Sequence, residues 1–468
     1  MKIVLGAPQQ RLFELLRQAG ITPAYLVGGY VRNQLLGLPE GDMDIASPFP
    51  PQVLAKIKAP EIELLERSYG LGTVVVKQRF GGETYPYEYT AFRCDNYGRG
   101  GAHVPQNVAF TKDIKKDAQR RDFTVNALYA DETGSVLDPT GRGLLALAEK
   151  QVAQVRKDTL AEDALRILRM VRFACELGFT IEEGTYACAK KYAYQLKDIS
   201  KERIRDEFTK ILLSDAAQCS SGAVLKGLHL LKDLGALRFI FPRLLDGDGV
   251  QQSAAYHAYD VLEHSMRTCA CTPPDLVTRL AGLLHDVGKP EAKKRGGRMY
   301  GHERLGAAMA EEELRQLRFE KTTRATVAEL VENHMFDLSN EAHTKAVARM
   351  IAKLGKRQFL RLCDLREADF AGSGKGNPAD SAHKWRAVLE ELLKQQAPID
   401  RKNLAVNGED LQKELGIPQG KRIGMLLSKL HEYAVKKPSQ NNYKSLIRYA
   451  KIVNARNGAA DGEKEGCP

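Results

Sequence analysis

Two aspartates separated by a single residue are the first feature of this sequence that points to chemistry. Asp42 and Asp44 bracket Met43, and Ile45 follows. Alternate side chains of a β-strand point to the same face, so both carboxylates would leave such a strand on one side. Carboxylates this close repel each other unless a cation lies between them, which predicts an Mg²⁺ site for phosphoryl or nucleotidyl transfer. Taken alone, the pair is equally typical of a surface turn.

A glycine turn precedes the two aspartates. Leu26 and Val27 are typical of the end of a buried strand, Gly28 and Gly29 follow, and a predicted helix then carries Arg32. Backbone N–H groups in such a turn can approach a phosphate closely. The order of strand, glycine turn, helix with an arginine and aspartate pair is more specific than either motif alone.

This order resembles the nucleotidyltransferase superfamily that includes DNA polymerase beta. The longer match is to the bacterial class II tRNA nucleotidyltransferases, which are the CCA-adding enzymes, and to the related bacterial poly(A) polymerases. The string Arg-Arg-Asp-Phe-Thr-Val-Asn-Ala, which starts at Arg120, is similar to a signature motif of this family. The resemblance also implies that Glu88, on a strand predicted at 84–90, is a third carboxylate of the metal site. A strand glutamate that faces solvent is the alternative.

The family's base-reading motif, Glu-Asp-x-x-Arg, matches residues 162–166. We predict one amphipathic helix over 162–176, on which Asp163 and Arg166 share a face. In the family such a pair satisfies the exocyclic amine and ring nitrogen of cytosine or adenine. An intrahelical salt bridge is the alternative. The nucleotide-binding residues that the resemblance implies are Gly28, Gly29, Arg32, Arg120, Arg121, Asp122, Asn126, Asp163, Arg166, Arg169 and Arg172.

A second cluster of chemical groups follows, because five histidines fall between 257 and 334. Neutral imidazole and carboxylate together suit Mn²⁺, Fe, Ni²⁺ or Zn²⁺. The pattern resembles the HD superfamily of metal-dependent phosphohydrolases. That resemblance implies a metal site made of His264, His285, Asp286 and Asp369, with Asp364 and Asp337 as alternatives to Asp369, and with His302 and His334 extending it to a second metal. A helical domain kept for packing or RNA contact is the alternative.

Composition limits the partners and the compartment. The formal net charge of +11 favours a polyanionic partner. The 8 cysteines form no C-x-x-C pair, which indicates a reduced intracellular protein. No run of about 18 apolar residues is present, so we expect a soluble cytoplasmic protein with no membrane contact.

The predicted fold class is α+β, with a polymerase-beta-like head, a small mixed sheet with helices, followed by all-α domains. The predicted divisions are the head at 1–144, a helical neck for base reading and RNA binding at 145–235, the HD domain at 236–371, a linker and helix at 372–395, a C-terminal helical tRNA-binding module at 396–456 and a disordered tail at 457–468.

The predicted function is template-independent addition of CCA to the 3′ end of tRNA. The substrates would be CTP and ATP, two Mg²⁺ ions would assist, and pyrophosphate would leave. The HD domain would be an accessory phosphohydrolase with a transition metal such as Ni²⁺ or Mn²⁺. The alternatives are a CC-only or A-only enzyme, since the loop at 93–112 departs from the family pattern at Gly98, a poly(A) polymerase, and an HD phosphohydrolase or RNA-binding protein with an inactive head. The oligomeric state is left open.

Overall fold

The computed structural model describes residues 1–68, 72–96, 107–216, 222–376 and 380–462. The chain divides into two compact units, Met1–Pro242 and Arg243–Pro468. Buried apolar side chains occur throughout both units, so each has its own core. No helix in the described part of the chain is both long and apolar enough to cross a membrane.

The first unit is built on a mixed sheet. The strands described there are β1 (Tyr25–Val27), β2 (Met43–Ser47), β3 (Ile62–Ser68), β4 (Thr73–Phe80), β5 (Glu83–Ala91), β6 (Arg93–Asn96), β7 (Asn107–Phe110), β8 (Tyr129–Ala130), β9 (Val136–Leu137), β10 (Gln151–Val152) and β11 (Thr180–Ile181). Seven of them form one sheet in the order β3-β4-β5-β2-β1-β8-β9. Strands β2 and β5 run parallel, whereas β6 and β7 form a separate antiparallel pair.

Alternating burial explains why β5 forms next to β2. Tyr87 and Tyr89 are fully buried, whereas Glu88 between them is exposed. This period of two is typical of a strand with one face on the core. The exposed face of β5 therefore carries the acidic side chain.

Helices pack around the sheet and continue beyond it in the first unit. They are α1 (Ala7–Gln18), α2 (Gly29–Leu36), α3 (Ile114–Gln119), α4 (Gly143–Ala148), α5 (Thr159–Glu162), α6 (Leu165–Glu176), α7 (Glu183–Tyr192), α8 (Lys201–Leu212), α9 (Ala223–Asp233) and α10 (Leu237–Ile240). The predicted α+β class, a mixed sheet with helices followed by helical domains, is confirmed.

The elements described in the second unit are helical. They are α11 (Val261–Cys271), α12 (Leu276–Leu284), α13 (Lys289–Gly296), α14 (His302–Gln316), α15 (Lys321–Asn333), α16 (Thr344–Gly372), α17 (Asp380–Lys394), α18 (Gly408–Leu415), α19 (Lys421–Lys436) and α20 (Tyr443–Gly462). Asp260 and Asp275 fix where α11 and α12 begin, because their carboxylates accept hydrogen bonds from N–H groups of the first turn. Leu411, Leu426 and Leu446 belong to a core shared by α18, α19 and α20.

The single helix predicted over 162–176 is wrong. Helix α5 ends at Glu162 and α6 begins at Leu165. Asp163 between them is extended, with φ −142° and ψ 102°, and its carboxylate accepts a hydrogen bond from Leu165 N at 3.0 Å. Aspartate favours this position because it satisfies an N–H group that has no partner within the helix. Asp163 and Arg166 therefore do not share a helix face.

The chain end and one predicted loop also differ from the sequence expectation in what can be described. Helix α20 extends to Gly462, whereas the sequence predicts a disordered tail from 457 onwards. Gly98 and the rest of 97–106, the centre of the predicted loop, lie outside the described residues, as do 463–468.

Candidate functional site

A cavity of about 780 Å³ in the first unit collects most of the predicted site residues. The predicted residues that line it are Gly28, Gly29, Arg32, Asp42, Asp44, Glu88, Arg121, Asp122, Asn126, Arg169 and Arg172. They come from the sheet, from α2, from the segment after α3 and from α6. Arg120, Asp163 and Arg166 are not among the lining residues.

The carboxylates lie on neighbouring strands. In the parallel register of β2 and β5, Asp44 lies opposite Glu88, and Asp42 comes one residue before β2 begins. Burial raises the pKa of Asp44 to about 6, and the charges of Glu88 and Asp42 add to this, although Arg121 opposes it. Repelling carboxylates on one cavity wall fit the oxygen ligands that a divalent cation prefers.

Gly28 allows the turn to approach these carboxylates. Its φ is +77°, which L side chains rarely adopt, and a Cβ there would lie 3.4 Å from Asp44 Oδ2. The turn leads directly into α2, which carries Arg32 into the cavity. The Arg32 guanidinium donates a hydrogen bond to Asn126 Oδ1, and burial lowers the pKa of Arg32 to about 10.

A hydrogen-bonded chain joins α6 to the segment that follows α3. Arg169 Nε donates to Asp122 Oδ2 at 2.8 Å, and Asn126 Nδ2 donates to Asp122 Oδ1 at 3.1 Å. Burial alone would raise the pKa of Asp122, but the Arg169 charge and the hydrogen bonds lower it to about 2. On the far side, Glu207 of α8 lies 3.4 Å from Arg172 Nε. These contacts fix Arg169 and Arg172 at the cavity wall.

Sequence reasoning missed the role of Phe173. Its ring lies under the guanidinium groups of Arg32, Arg169 and Arg172, with 5.1, 5.4 and 4.4 Å from each guanidinium carbon to the ring centroid. Cation–π attraction of this kind keeps several like charges together in one wall. Its spacing from Arg169, four residues along the same helix, was the available signal. Glu176 and Lys210 also line the cavity and were not predicted.

The predicted base-reading pair contacts protein groups in this structure. The Arg166 guanidinium donates to Thr159 O at 3.1 Å and to Arg120 O at 2.9 Å. Asp163 Oδ2 lies 3.3 Å from Arg203 Nη2. Both predicted side chains belong to residues that are 7% exposed. Base reading by this pair stays a prediction.

The second unit brings six buried or half-buried groups together. The ligand atoms of His264, His285 and Asp369 lie within 4.8 Å of one another, and so do those of Asp286, His302 and His334. His264 Nε2 lies 3.0 Å from Asp369 Oδ1 and His302 Nε2 lies 3.3 Å from Asp286 Oδ1. Within the described parts of the chain, only these two groups reach this density of ligands. The carboxylates of the first unit line a common wall without such closure.

The orientation of three imidazoles suits metal binding. Nδ1 of His285, His302 and His334 lies 2.8, 2.7 and 2.6 Å from the backbone oxygens of Gly282, Met299 and Val331. A backbone oxygen at Nδ1 fixes the proton there and leaves Nε2 as a neutral ligand atom. In each ring it is Nε2 that faces the cluster. The donor set therefore fits divalent transition metals.

The structure distinguishes among the three candidate aspartates of this centre. Asp369 lies beside His264, whereas Asp364 accepts a hydrogen bond from Arg386 at 2.6 Å and Asp337 accepts one from Trp385 Nε1 at 2.9 Å. A neighbouring cavity of about 610 Å³ is lined by Asp286, Asp369 and Lys289 among others. Lys289 Nζ lies 2.6 Å from Asp286 Oδ2, which places a cation beside the cluster.

Comparison with known proteins places the chain in a family. The Poly A polymerase head domain matches residues 24–153, the probable RNA and SrmB-binding site of polymerase A matches 178–247, and the HD domain matches 254–370. An A-adding tRNA nucleotidyltransferase of Deinococcus radiodurans is 30% identical over 432 residues, which cover 87% of this chain and 91% of that protein. The chain belongs to the tRNA nucleotidyltransferase family.

Further members of the tRNA nucleotidyltransferase family match as well. The CCA-adding enzyme of Limosilactobacillus fermentum is 38% identical over 219 residues, so that match spans 47% of this chain and about half, 52%, of that enzyme. The crystal structure of the Bacillus stearothermophilus CCA-adding enzyme in complex with CTP matches with a TM-score of 0.68 and 25% identity, and the match covers 97% of this chain and 100% of that one. Family membership implies the use of a divalent metal in nucleotidyl transfer.

Proposed function

We propose that this protein adds CCA to the 3′ end of tRNA without a template, using CTP and ATP. The observation that carries the proposal is the cavity of the first unit, where Asp42, Asp44 and Glu88 face a wall of guanidinium groups beside the Gly28 turn. Carboxylates for metal ions and guanidinium groups for a triphosphate are the two components that nucleotidyl transfer requires.

The residues of the cavity divide the work. Asp42, Asp44 and Glu88 would hold Mg²⁺, which when bound lowers the pKa of the attacking hydroxyl and neutralises triphosphate charge. Arg32 and Arg121 bind triphosphate oxygens, and the Gly28 turn lets the backbone approach them. The RNA 3′-hydroxyl attacks the α-phosphate in line, and pyrophosphate leaves as the P–O bond breaks.

Base selection is assigned to Asp163 and Arg166, with Arg120 supporting them. Arg166 donates to the backbone oxygen of Arg120, whose neighbour Arg121 lines the cavity. Base reading therefore requires the pair to exchange these protein contacts for contacts with the base edge, which offers an amine and a ring nitrogen. A shift between neck and head of this kind is typical of enzymes that close on a substrate.

CCA addition is favoured over addition of A alone by the match along nearly the whole chain to a CCA-adding enzyme in complex with CTP. The Deinococcus radiodurans relative is named as an A-adding enzyme, so addition of A alone is the alternative to test.

Incorporation assays separate these functions. Purified protein is given CTP and ATP, singly and together, with tRNA that ends at the discriminator base, at C or at CC, and with an unrelated RNA primer as control. We expect two C and one A, then a stop. A alone, only on tRNA ending in CC, would identify an A-adding enzyme, and long A tracts on the unrelated RNA would identify a poly(A) polymerase.

A second activity is proposed for the HD centre. The two three-ligand groups fit two transition metal ions such as Ni²⁺ or Mn²⁺, and Lys289 lies beside Asp286 at the cavity. Such a centre suits hydrolysis of a phosphate ester. Phosphate release from nucleoside 2′,3′-cyclic phosphates and phosphomonoesters, measured with each metal, tests it. No release with any metal would leave the unit a structural or RNA-binding domain. The cytoplasmic location and the tRNA contacts of the last helices stay predictions.

A further inference from the structure

Asp117 is a buried acid to which the mechanism assigns no task. It lies in α3 and is 0% exposed, yet it forms no part of the predicted site. Buried carboxylates are costly unless every lone pair finds a donor, so the identity of its donors indicates what it does. A structural acid would be expected to hold its own helix, whereas the donors of Asp117 come from four other positions.

Two of these donors are the adjacent guanidinium groups of the signature motif. Arg120 Nε donates to Asp117 Oδ1 at 2.8 Å, and Arg121 Nη2 donates to Asp117 Oδ2 at 3.3 Å. The spacings of three and four residues place both arginines over the same turn. Consecutive long side chains would otherwise point in different directions. A single carboxylate thus directs both forks.

Tyr129 completes the clamp on Arg121. Its hydroxyl donates to Asp117 Oδ2 at 2.6 Å and accepts from Arg121 Nε at 3.0 Å. The Arg121 guanidinium carbon also lies 5.2 Å from the centroid of the Tyr129 ring. Arg121 is held on one side by these contacts, and its Nη1 points towards the Gly28 turn, 3.8 Å from where a Cβ of Gly28 would be. The free edge of the fork therefore faces the cavity.

Asp117 also joins this pair of arginines to strand β6. Arg93 N donates to Asp117 Oδ1 at 3.2 Å, and Asp95 Oδ2 lies 3.8 Å from Arg120 Nη1. Burial favours the protonated form of Asp117, but the two guanidinium charges outweigh it and lower its pKa. The acid is therefore ionised when nucleotide binds, as a charge that directs cations must be.

We propose that Asp117 is a positioning residue for nucleotide binding, which fixes the Arg121 fork towards the triphosphate and anchors it, together with Arg120, to strand β6. The proposal rests on the proposed nucleotidyl transfer in this cavity. Asp117 touches no substrate and acts only through the guanidinium groups. Its loss is therefore expected to weaken binding of the triphosphate more than it slows the chemical step, since the metal carboxylates stay in place.

The test compares Asp117→Asn with Asp113→Asn, the same change at the N-cap of the same helix. Asparagine caps as well as aspartate, so the Asp113 variant keeps α3 intact outside the cavity. With Asp117→Asn we expect the KM for CTP to rise about tenfold with kcat changed about threefold or less, and binding of CTP to weaken more than binding of CMP. Asp113→Asn is expected to match the wild-type protein.

A double-variant cycle with Arg121→Lys decides whether Asp117 acts through Arg121. If it does, the double variant loses little more CTP affinity than Arg121→Lys alone; fully additive losses, or an unchanged KM in Asp117→Asn, overturn the proposal. CTP affinity is measured by equilibrium binding, so the test holds even if the wild-type protein fails to add nucleotides to tRNA, which would contradict the proposed function instead. If Asp117→Asn does not fold, Tyr129→Phe replaces it in the cycle, with a smaller rise in KM expected.

Discussion

Asp44 of β2 lies opposite Glu88 of β5 in a parallel strand pair, so two carboxylates that are far apart in the sequence share one edge of the cavity. Antiparallel neighbours flank this pair in the sheet. Because parallel strands place matched positions side by side, the third acidic side chain of the site depends on the strand order and not on a local motif.

Asp44→Asn should abolish nucleotide addition without lowering thermal stability. The amide cannot hold a divalent cation in place of the carboxylate, so the rate should fall by roughly a thousandfold or more. Because burial raises the pKa of Asp44 to about 6, its charge is unfavourable in the folded protein at neutral pH, and the neutral amide should keep or raise the melting temperature. Incorporation assays and thermal melting in EDTA check both. Retained activity would contradict the metal role.

Asp369→Asn should reduce the metal content of the second unit, whereas Asp364→Asn should not. Asp369 lies beside His264 and His285, but Asp364 is paired with Arg386. Metal per protein after loading with Mn²⁺ or Ni²⁺ and desalting, measured by mass spectrometry, distinguishes them. Nucleotide addition should be unchanged in both variants, because their side chains belong to the other unit. Equal metal loss in both would reassign the ligand.

Asp163→Ala should weaken both base selection and local helix stability. Its carboxylate accepts from Leu165 N and pairs with Arg203, so alanine leaves the start of α6 uncapped at a cost of about 1 kcal/mol. Discrimination of CTP and ATP against UTP and GTP should fall if the pair reads bases. Asp206→Ala, at an exposed acid that pairs with Arg205, is the matched control. Full selectivity in Asp163→Ala would rule out base reading by this residue.

Glu313→Gln should stabilise the second unit above neutral pH. Burial raises the pKa of Glu313 to about 7, although Arg243 opposes the shift. Since the folded protein binds this proton more tightly than the unfolded chain, the free energy of unfolding contributed by Glu313 falls as pH rises from about 4.5 to 7. The variant should therefore match the wild-type protein near pH 4.5 and gain on the order of 2 kcal/mol at pH 8.

Denaturant unfolding of the variant at several pH values measures this gain. The neighbouring Glu312→Gln is the control with the opposite sign, because Gln316 and Arg315 lower the pKa of Glu312. Loss of its charge should leave no gain at pH 8. A pH profile of Glu313→Gln that parallels the wild-type profile would contradict the shift.

The predicted strands and helices followed from periodicity that is local in the chain. Alternation around Tyr87 and Tyr89 predicts a strand, and β5 spans that segment. The predicted helix at 162–176 failed because a single capping aspartate, Asp163, competes with helix continuation. Periodicity averages over many residues and does not detect such a break.

The sequence by itself determined the acidic pair, the glycine turn, the arginine motif and the histidine set, because each is a local pattern or spacing. Only the tertiary structure decided that Asp44 faces Glu88, that Asp369 and not Asp364 joins His264, and that Asp117 directs Arg121. Phe173 collects three guanidinium groups from two helices for the same reason. These contacts join segments that are distant along the chain, and their geometry is set by strand order, helix packing and burial, which act on the whole fold at once.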